Sequence, residues 1–249
     1  MGNLLKSELF KLRKDRVFLT LTLLLLAVSF LYPLLIVFNA NSDQVTVSEF
    51  YQYNIIGGNS YVLKLVPCIL AGFFISSEYS NGTMKSIVAS GNSRIRAYFA
   101  KLLVFSLGMM TISLIFPIFM TGSSAIYFHF KGMPELSFYL QTVGSIALYS
   151  VSFASIMAIF ATIFTDSGKT IGFLLLFFIL FDSILHGISS KISFFEPVYN
   201  YSIFKLFLDV VNIPAMNHGE ITRLVMIPIL SYIVFGYMGS YIFQKKEIR

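Results

Sequence analysis

Long stretches almost without charged residues limit the fold of this sequence more than any other feature. Six of them lie at about 17–38, 61–77, 101–124, 138–164, 170–187 and 223–243. A transmembrane helix needs about 20 predominantly apolar residues to cross the hydrocarbon core. Lys64 lies near one end of the second stretch, where a long side chain can reach the headgroups. The pattern predicts an all-α polytopic membrane protein, with six transmembrane helices in one domain over residues 1–249.

The scarcity of charge excludes a soluble protein. Only 12% of the residues are charged and 56% are hydrophobic, whereas a typical soluble domain carries about 25% charged residues. A soluble fold could not cover its surface with so few polar side chains. We therefore exclude a soluble enzyme, and no segment is polar and long enough to form a second domain.

The distribution of lysine and arginine predicts the orientation. Thirteen of the 18 basic residues lie on the side that holds both termini, and five lie on the other side. Because cytoplasmic loops carry the excess of basic residues, we expect cytoplasmic termini, with residues 39–60 and 188–222 outside. The net charge of +6 then points to membrane lipid as a partner and not to nucleic acid.

The N-terminal residues 2–16 combine leucines and basic side chains in a helical pattern. Leu5, Leu9 and Leu12 fall on one narrow stripe of a helical wheel, with Lys11 and Lys14 opposite. This predicts an amphipathic entry helix lying in the cytoplasmic headgroup plane. The alternative is a plain basic flank of the first span.

Residues 188–222 are too apolar for a solvated loop. We expect a half-buried or re-entrant helical segment that either packs against lipid and neighbouring spans or forms a partner or substrate surface. Four phenylalanines of this segment are candidates for a substrate exit or gate: Phe194, Phe195, Phe204 and Phe207.

Asp182 and His186 are the polar candidates within the spans. They stand four residues apart, so they share a face of the fifth predicted helix. Ionisable residues at membrane depth are frequently functional. The pair is either a hydrogen-bonded structural pair or a proton or substrate site.

No residue pattern predicts a bound metal, nucleotide or cofactor. The sequence has a single cysteine, Cys68, and lacks an HExxH motif. Gly168-Lys169-Thr170 resembles the end of a phosphate-binding loop, but Ile163 stands where that motif needs its first glycine. We expect no catalytic residue in this chain.

The cytoplasmic loop over residues 78–100 is the most informative segment. Asn81-Gly82 predicts a turn with positive φ, and Thr83 is a candidate N-cap for a short helix over 84–89. A short helix held between two spans is a suitable lever for a soluble partner. The alternative is an ordinary basic loop.

Together, these residues resemble the loop of ABC exporter permeases of the type-2 family. The resemblance lies in Glu78-Tyr79, Gly82-Thr83 and Lys85, followed by Arg94 and Lys101. The entry helix, the six spans and the half-apolar outer segment are similar to that family as well.

The resemblance implies a transport subunit that is not itself an enzyme. It would pair with a second permease half, as a homodimer or heterodimer, and with cytoplasmic ABC ATPase subunits that bind ATP and magnesium. The ATPase-coupling interface would be formed by Glu78, Tyr79, Gly82, Thr83, Met84, Lys85 and Arg94.

The resemblance also suggests a substrate class and a location. Small phenylalanine-rich permeases of this kind resemble exporters of antimicrobial or amphipathic peptides, including lantibiotic-immunity proteins, in bacterial plasma membranes. Lipophilic drugs are related substrates, and export of sodium or another small solute is the alternative. An intramembrane enzyme using Asp182 or His186, and a membrane sensor or scaffold, are the rival classes.

Overall fold

The computed structural model describes residues 2–39 and 45–246, and this part of the chain is helical without strands. The long helices are α2 (Arg16–Asn39), α3 (Val47–Ser80), α5 (Arg94–Tyr127), α6 (Leu136–Phe164), α7 (Ser167–Ser189) and α10 (His218–Lys245). The short helices are α1 (Gly2–Lys14), α4 (Thr83–Ala89), α8 (Glu196–Asn200) and α9 (Ile203–Asp209).

The six long helices confirm the prediction of six spans and of an all-α membrane protein. Each is long and apolar enough to cross a bilayer. Residues 40–44 of the predicted outer loop, and Arg249, lie outside the described residues.

Helix α3 differs most from its predicted limits, because it begins at Val47 and not near residue 61. Thr46 and Glu49 form a capping box, in which the Thr46 hydroxyl accepts a hydrogen bond from the Glu49 amide at 3.2 Å. Polar residues such as Asn54 and Asn59 interrupt the hydropathy of its first turns. Lys64 therefore lies well inside the helix, and its predicted place at a span end is wrong.

Helix α6 forms the centre of the bundle and packs against α5, α7 and α10. Most of its buried serines and threonines donate hydrogen bonds back to the preceding turn, as Ser155 does to the Ser152 carbonyl at 2.7 Å. These small side chains allow close helix packing. In contrast, α2, α7 and α10 expose most of their large apolar side chains, as expected for surfaces that face lipid or a neighbouring subunit.

Helix α1 confirms the predicted N-terminal helix. Leu12 and Glu8 are buried and Leu5 is half-buried, while Leu9 is 39% exposed. The buried face contacts α5, where Leu12 lies beside Gly108. The buried Glu8 was not among the residues of the predicted stripe, and it pairs with Lys11 and Lys101.

The segment between α7 and α10 divides into two halves. Residues of α9 and the following 3₁₀ turn, Val210–Ala215, are buried against α6, as predicted for a half-buried helix. The preceding turn Ser193–Phe195 and α8 bury no side chain.

Helices α1 and α4 and the C-terminal end of α10 lie at one end of the bundle, which we call the terminal face. The 3₁₀ turns, α8, α9 and the start of α10 lie at the opposite end, which we call the far face.

Candidate functional site

Two left-handed glycines set the position of α4 on the terminal face. Gly82, with φ of 71°, separates α3 from α4, and Gly91, with φ of 87°, follows α4. Gly82 is the N-cap residue, so the predicted N-cap at Thr83 is wrong. Thr83 is the first helical residue, and its hydroxyl donates to the Glu78 carbonyl at 3.1 Å. Both turns are ones that glycine adopts without steric cost.

Helix α4 has a buried face and an exposed face. The Met84 side chain is 2% exposed and lies beside Tyr79 and Tyr98. The exposed positions are Thr83, Lys85, Ser86 and Ala89. Met84, together with the half-buried Ile87 and Val88, thus anchors the helix and leaves its other face free for a partner.

A closed ring of four charges lies next to this helix, and we call it the charge ring. Its members are Glu8 and Lys11 of α1, Glu78 of α3 and Lys101 of α5. Lys11 donates hydrogen bonds to Glu8 at 2.7 Å and to Glu78 at 2.9 Å. Lys101 forms ion pairs with the other carboxylate oxygens, at 2.9 Å to Glu8 and 2.6 Å to Glu78.

The ring neutralises itself, because it contains two carboxylates and two ammonium groups. Burial alone would raise the pKa of Glu8, but the Lys101 charge and the Lys11 hydrogen bond outweigh burial and hold that pKa below its ordinary value. Burial likewise opposes the charge on Lys11, yet its hydrogen bonds to Glu8 and Glu78 raise the pKa of its ammonium group. Both shifts favour the charged forms of Glu8 and Lys11 at neutral pH.

A second set of contacts joins the helix ends of the terminal face. The Arg94 guanidinium donates to the carbonyls of Gln244 at 2.7 Å and Lys246 at 2.8 Å. The Lys246 ammonium donates to Ile163 at 2.9 Å and also to Thr162, at the end of α6. These bonds satisfy carbonyls that would otherwise be unpaired at helix C-termini.

The predicted coupling residues therefore fall into two groups. Thr83 and Lys85 point outward on α4. Glu78 and Arg94 pair with other helices of this chain, and Tyr79 and Met84 pack inward. The inward group can hold α4 in place without itself contacting an ATPase.

A comparison with known families identifies the family to which this chain belongs. The sequence model described as ABC-2 family transporter protein matches residues 4–183 of the chain, from α1 into α7. The chain belongs to this family. It is a multi-pass permease, the membrane component of an ABC exporter, and its family implies an ATPase partner. No individual curated protein matches the chain.

In the permease, the two polar candidates of α7, Asp182 and His186, lie in different environments. Asp182 lies 3.6 Å from the Lys64 ammonium group of α3, in an ion pair. Lys64 also lies 5.7 Å from the centre of the Phe204 ring. His186 is exposed and packs its ring against Tyr199 at 5.1 Å. Asp182 is thus paired with another helix, and this pairing was not predictable from local spacing because the partner is 118 positions away.

The four candidate gate residues also form two separate groups. Phe194 is 78% exposed and contacts Phe195 edge-to-face at 5.7 Å. Phe204 and Phe207 are buried, and both contact Phe153 of α6, at 5.3 and 6.2 Å. Only the first group is accessible at the far face in this conformation.

The triplet Gly168-Lys169-Thr170 has a structural explanation in the first turn of α7. Asp166 caps that turn by accepting a hydrogen bond from the Lys169 amide at 2.8 Å. The Thr170 hydroxyl lies 2.7 Å from that of Ser76, which also donates to the Ala161 carbonyl at 2.8 Å. The triplet therefore helps to join α3, α6 and α7.

Proposed function

We propose that this permease couples to a cytoplasmic ABC ATPase through the exposed face of α4. The observation that carries the proposal is the charge ring, because it joins α1, α3 and α5 at the end of α3 that leads into α4. Glu78 lies at the end of α3, four residues before Gly82, and is held by Lys11 of α1 and Lys101 of α5. A push on α4 is transmitted through this ring to α1, α3 and α5 together.

The proposed orientation places the terminal face in the cytoplasm of a bacterial cell. This agrees with the excess of basic residues on that side. Helix α1 then lies at the inner headgroup level and α4 faces the ATPase. A second permease half, identical or not, would complete the exporter by covering one of the exposed apolar helices.

The substrate class that we propose is amphipathic or antimicrobial peptides and lipophilic drugs. Among the described residues, the buried charged side chains are Glu8, Lys64 and Lys101, and each is matched by an opposite charge. A small-cation pathway needs carboxylates that are available to the ion. Here, the carboxylates at membrane depth already face lysines, so an apolar route is favoured over a sodium route.

Survival of a sensitive bacterial strain tests the substrate class. The full chain is expressed with its ATPase, and the cells are challenged with a membrane-active cationic peptide, a lipophilic drug or a sodium load. We expect protection against the peptide or the drug. Protection against sodium alone would replace this proposal with small-ion export.

A matched pair of variants ties the protection to α4. Lys85→Glu reverses a charge on the exposed face and should abolish protection without lowering the amount of chain in the membrane. Lys191→Glu reverses an exposed charge at the far face and should leave protection intact. Equal protection by both variants would exclude the exposed face of α4 as the coupling surface.

A further inference from the structure

A polar pocket at the far face contains charges of both signs. It has a volume of about 440 Å³ and lies between α9 and the first turns of α10. The charged residues that line it are Lys205, Asp209, Glu220 and Arg223. A pocket with two cations and two carboxylates is complementary to a zwitterion and not to a simple anion or cation.

Two of these charges are already used within the chain. Lys205 and Asp209 form an ion pair one turn apart on α9. Arg223 forms no ion pair with any residue of 2–39 or 45–246, and its guanidinium lies over the Tyr201 ring at 5.3 Å. Glu220 accepts a bond from the Asn217 amide with one carboxylate oxygen, at 2.9 Å. Arg223 and Glu220 are therefore the cation and the anion that remain for a ligand.

An apolar groove shares one lining residue with this pocket. It has a volume of about 590 Å³ and lies between α6, α7 and α10, at the depth of the spans. Ile159, Phe181 and Met238 are among its lining residues, and Tyr201 lines both the groove and the polar pocket. A charged cavity at a span end and an apolar groove along the spans therefore meet at Tyr201.

We infer that the pocket and the groove together bind one phospholipid with a zwitterionic, primary-amine headgroup. The Arg223 guanidinium pairs with the phosphate, the Glu220 carboxylate pairs with the ammonium group, and an acyl chain occupies the groove. Guanidinium–phosphate pairing is among the strongest charge-assisted contacts. A primary ammonium group donates three hydrogen bonds, whereas a trimethylammonium group donates none, so phosphatidylethanolamine fits better than phosphatidylcholine.

Lipid retention by the full chain tests the inference without the ATPase or an export assay. The chain is purified in mild detergent, exposed to equal amounts of phosphatidylethanolamine, phosphatidylcholine and phosphatidylglycerol, and examined by native mass spectrometry. We expect one retained phosphatidylethanolamine per chain, at least fivefold above either other lipid. A failure here leaves the proposed export function untouched, because the ligand is a membrane component.

Three variants and one control assign the contacts. Arg223→Gln should lower retention of phosphatidylethanolamine at least fivefold, and Glu220→Gln should shift the preference toward phosphatidylglycerol. Ser231→Phe places a ring in the groove and should lower retention of all three lipids. Lys191→Gln removes an exposed charge that lines neither cavity and should change nothing.

Several outcomes would overturn the inference. Equal retention of the three lipids by the unaltered chain would mean that the lipid is bound unspecifically at the surface. A preference for phosphatidylglycerol would exclude the proposed contact between Glu220 and an ammonium group. Retention unchanged by Arg223→Gln removes the phosphate contact. If Arg223→Gln melts at a lower temperature than the unaltered chain, its loss of lipid could reflect instability. Glu220→Gln is then the decisive variant, because glutamine preserves the capping box. This variant should change only the preference between lipid headgroups.

Discussion

Lys101 is the residue on which the terminal face depends most. Its side chain is 5% exposed and contacts both carboxylates of the charge ring, while its ammonium group also lies 4.8 Å from the Phe74 ring centre. A buried ion pair stabilises little relative to apolar packing, but removal of one partner leaves the other charge uncompensated. The ring is therefore sensitive to single changes and tolerant of balanced ones.

Lys101→Met should destabilise the chain by about 3–5 kcal/mol, the usual cost of a broken buried pair. Adding Glu8→Gln should restore much of that loss, because the one carboxylate left in the ring, Glu78, still pairs with Lys11 at 2.9 Å. Lys169→Met, at an exposed lysine, is the control and should have little effect. The melting temperatures of the purified variants measure these three effects. Equal melting temperatures of Lys101→Met and Lys169→Met would rule out the ring as a stabilising element.

The ring also predicts a pH dependence of stability. The pKa of Glu8 is lowered in the folded chain, so its contribution is complete above the ordinary carboxyl range, about 4, and is lost as the pH falls through the lowered pKa. The pKa of Lys11 is raised, so its contribution disappears only as the pH rises through that raised value. Melting temperatures should be flat near neutrality and fall in acid, and Glu8→Gln should weaken the acid-side fall.

Individual residues are also where the sequence was least informative. The pattern of basic residues identified Lys64 and Lys101 as span-end charges, whereas both are buried and paired. Glu8 offered a faint signal, as an acid three residues before Lys11 beside the leucine stripe of an amphipathic helix. Lys64 pairs with Asp182, and Lys101 pairs with Glu8 and Glu78. These partners are distant in the chain, so local spacing could not reveal them.

At the scale of single elements, α4 depends on backbone geometry more than on packing. A Cβ atom added to Gly82 would meet no other atom within 4 Å, but φ is 71°. A substitution there consequently tests the turn itself and not a steric clash.

Gly82→Ala should cost about 1–2 kcal/mol, the penalty of a left-handed conformation for a residue with a Cβ atom. Gly144→Ala is the matched control, because Gly144 also has open space around it but lies within helix α6. Alanine should stabilise that helix by about 0.5–1 kcal/mol. The two variants should thus shift the melting temperature in opposite directions, and a shift of the same sign would contradict the proposed turn.

The elements themselves followed largely from hydropathy and turn residues. Four spans were predicted to within about five residues at each end, whereas α5 begins at Arg94 and not near residue 101. Asn81-Gly82 predicted the left-handed turn. The early start of α3 was not predictable, because Asn54 and Asn59 lower the hydropathy of a segment that tertiary packing nonetheless buries in part. Phe204 and Phe207 were grouped with Phe194 by sequence proximity, but α9 turns them into the aromatic interior.

At the scale of the whole molecule, the orientation in the membrane remains a prediction. Ser90→Cys at the terminal face and Ser193→Cys at the far face, each in a Cys68→Ala background, report it through a membrane-impermeant thiol reagent. In intact cells, position 193 should react and position 90 should be protected. The reverse pattern would invert the proposed orientation and remove α4 from the cytoplasm.

The proposed docking of an ATPase on α4 is tested most directly by the rate of ATP hydrolysis in material purified from native membranes through a tag on the full chain. The unaltered chain and Ser190→Trp, a substitution at an exposed far-face residue, should copurify with magnesium-dependent ATPase activity. Ser86→Trp, on the exposed face of α4, should lose at least fivefold of that activity at an unchanged amount of permease. Equal ATPase activity in all three preparations, or none with the unaltered chain, would contradict the docking of an ATPase on α4.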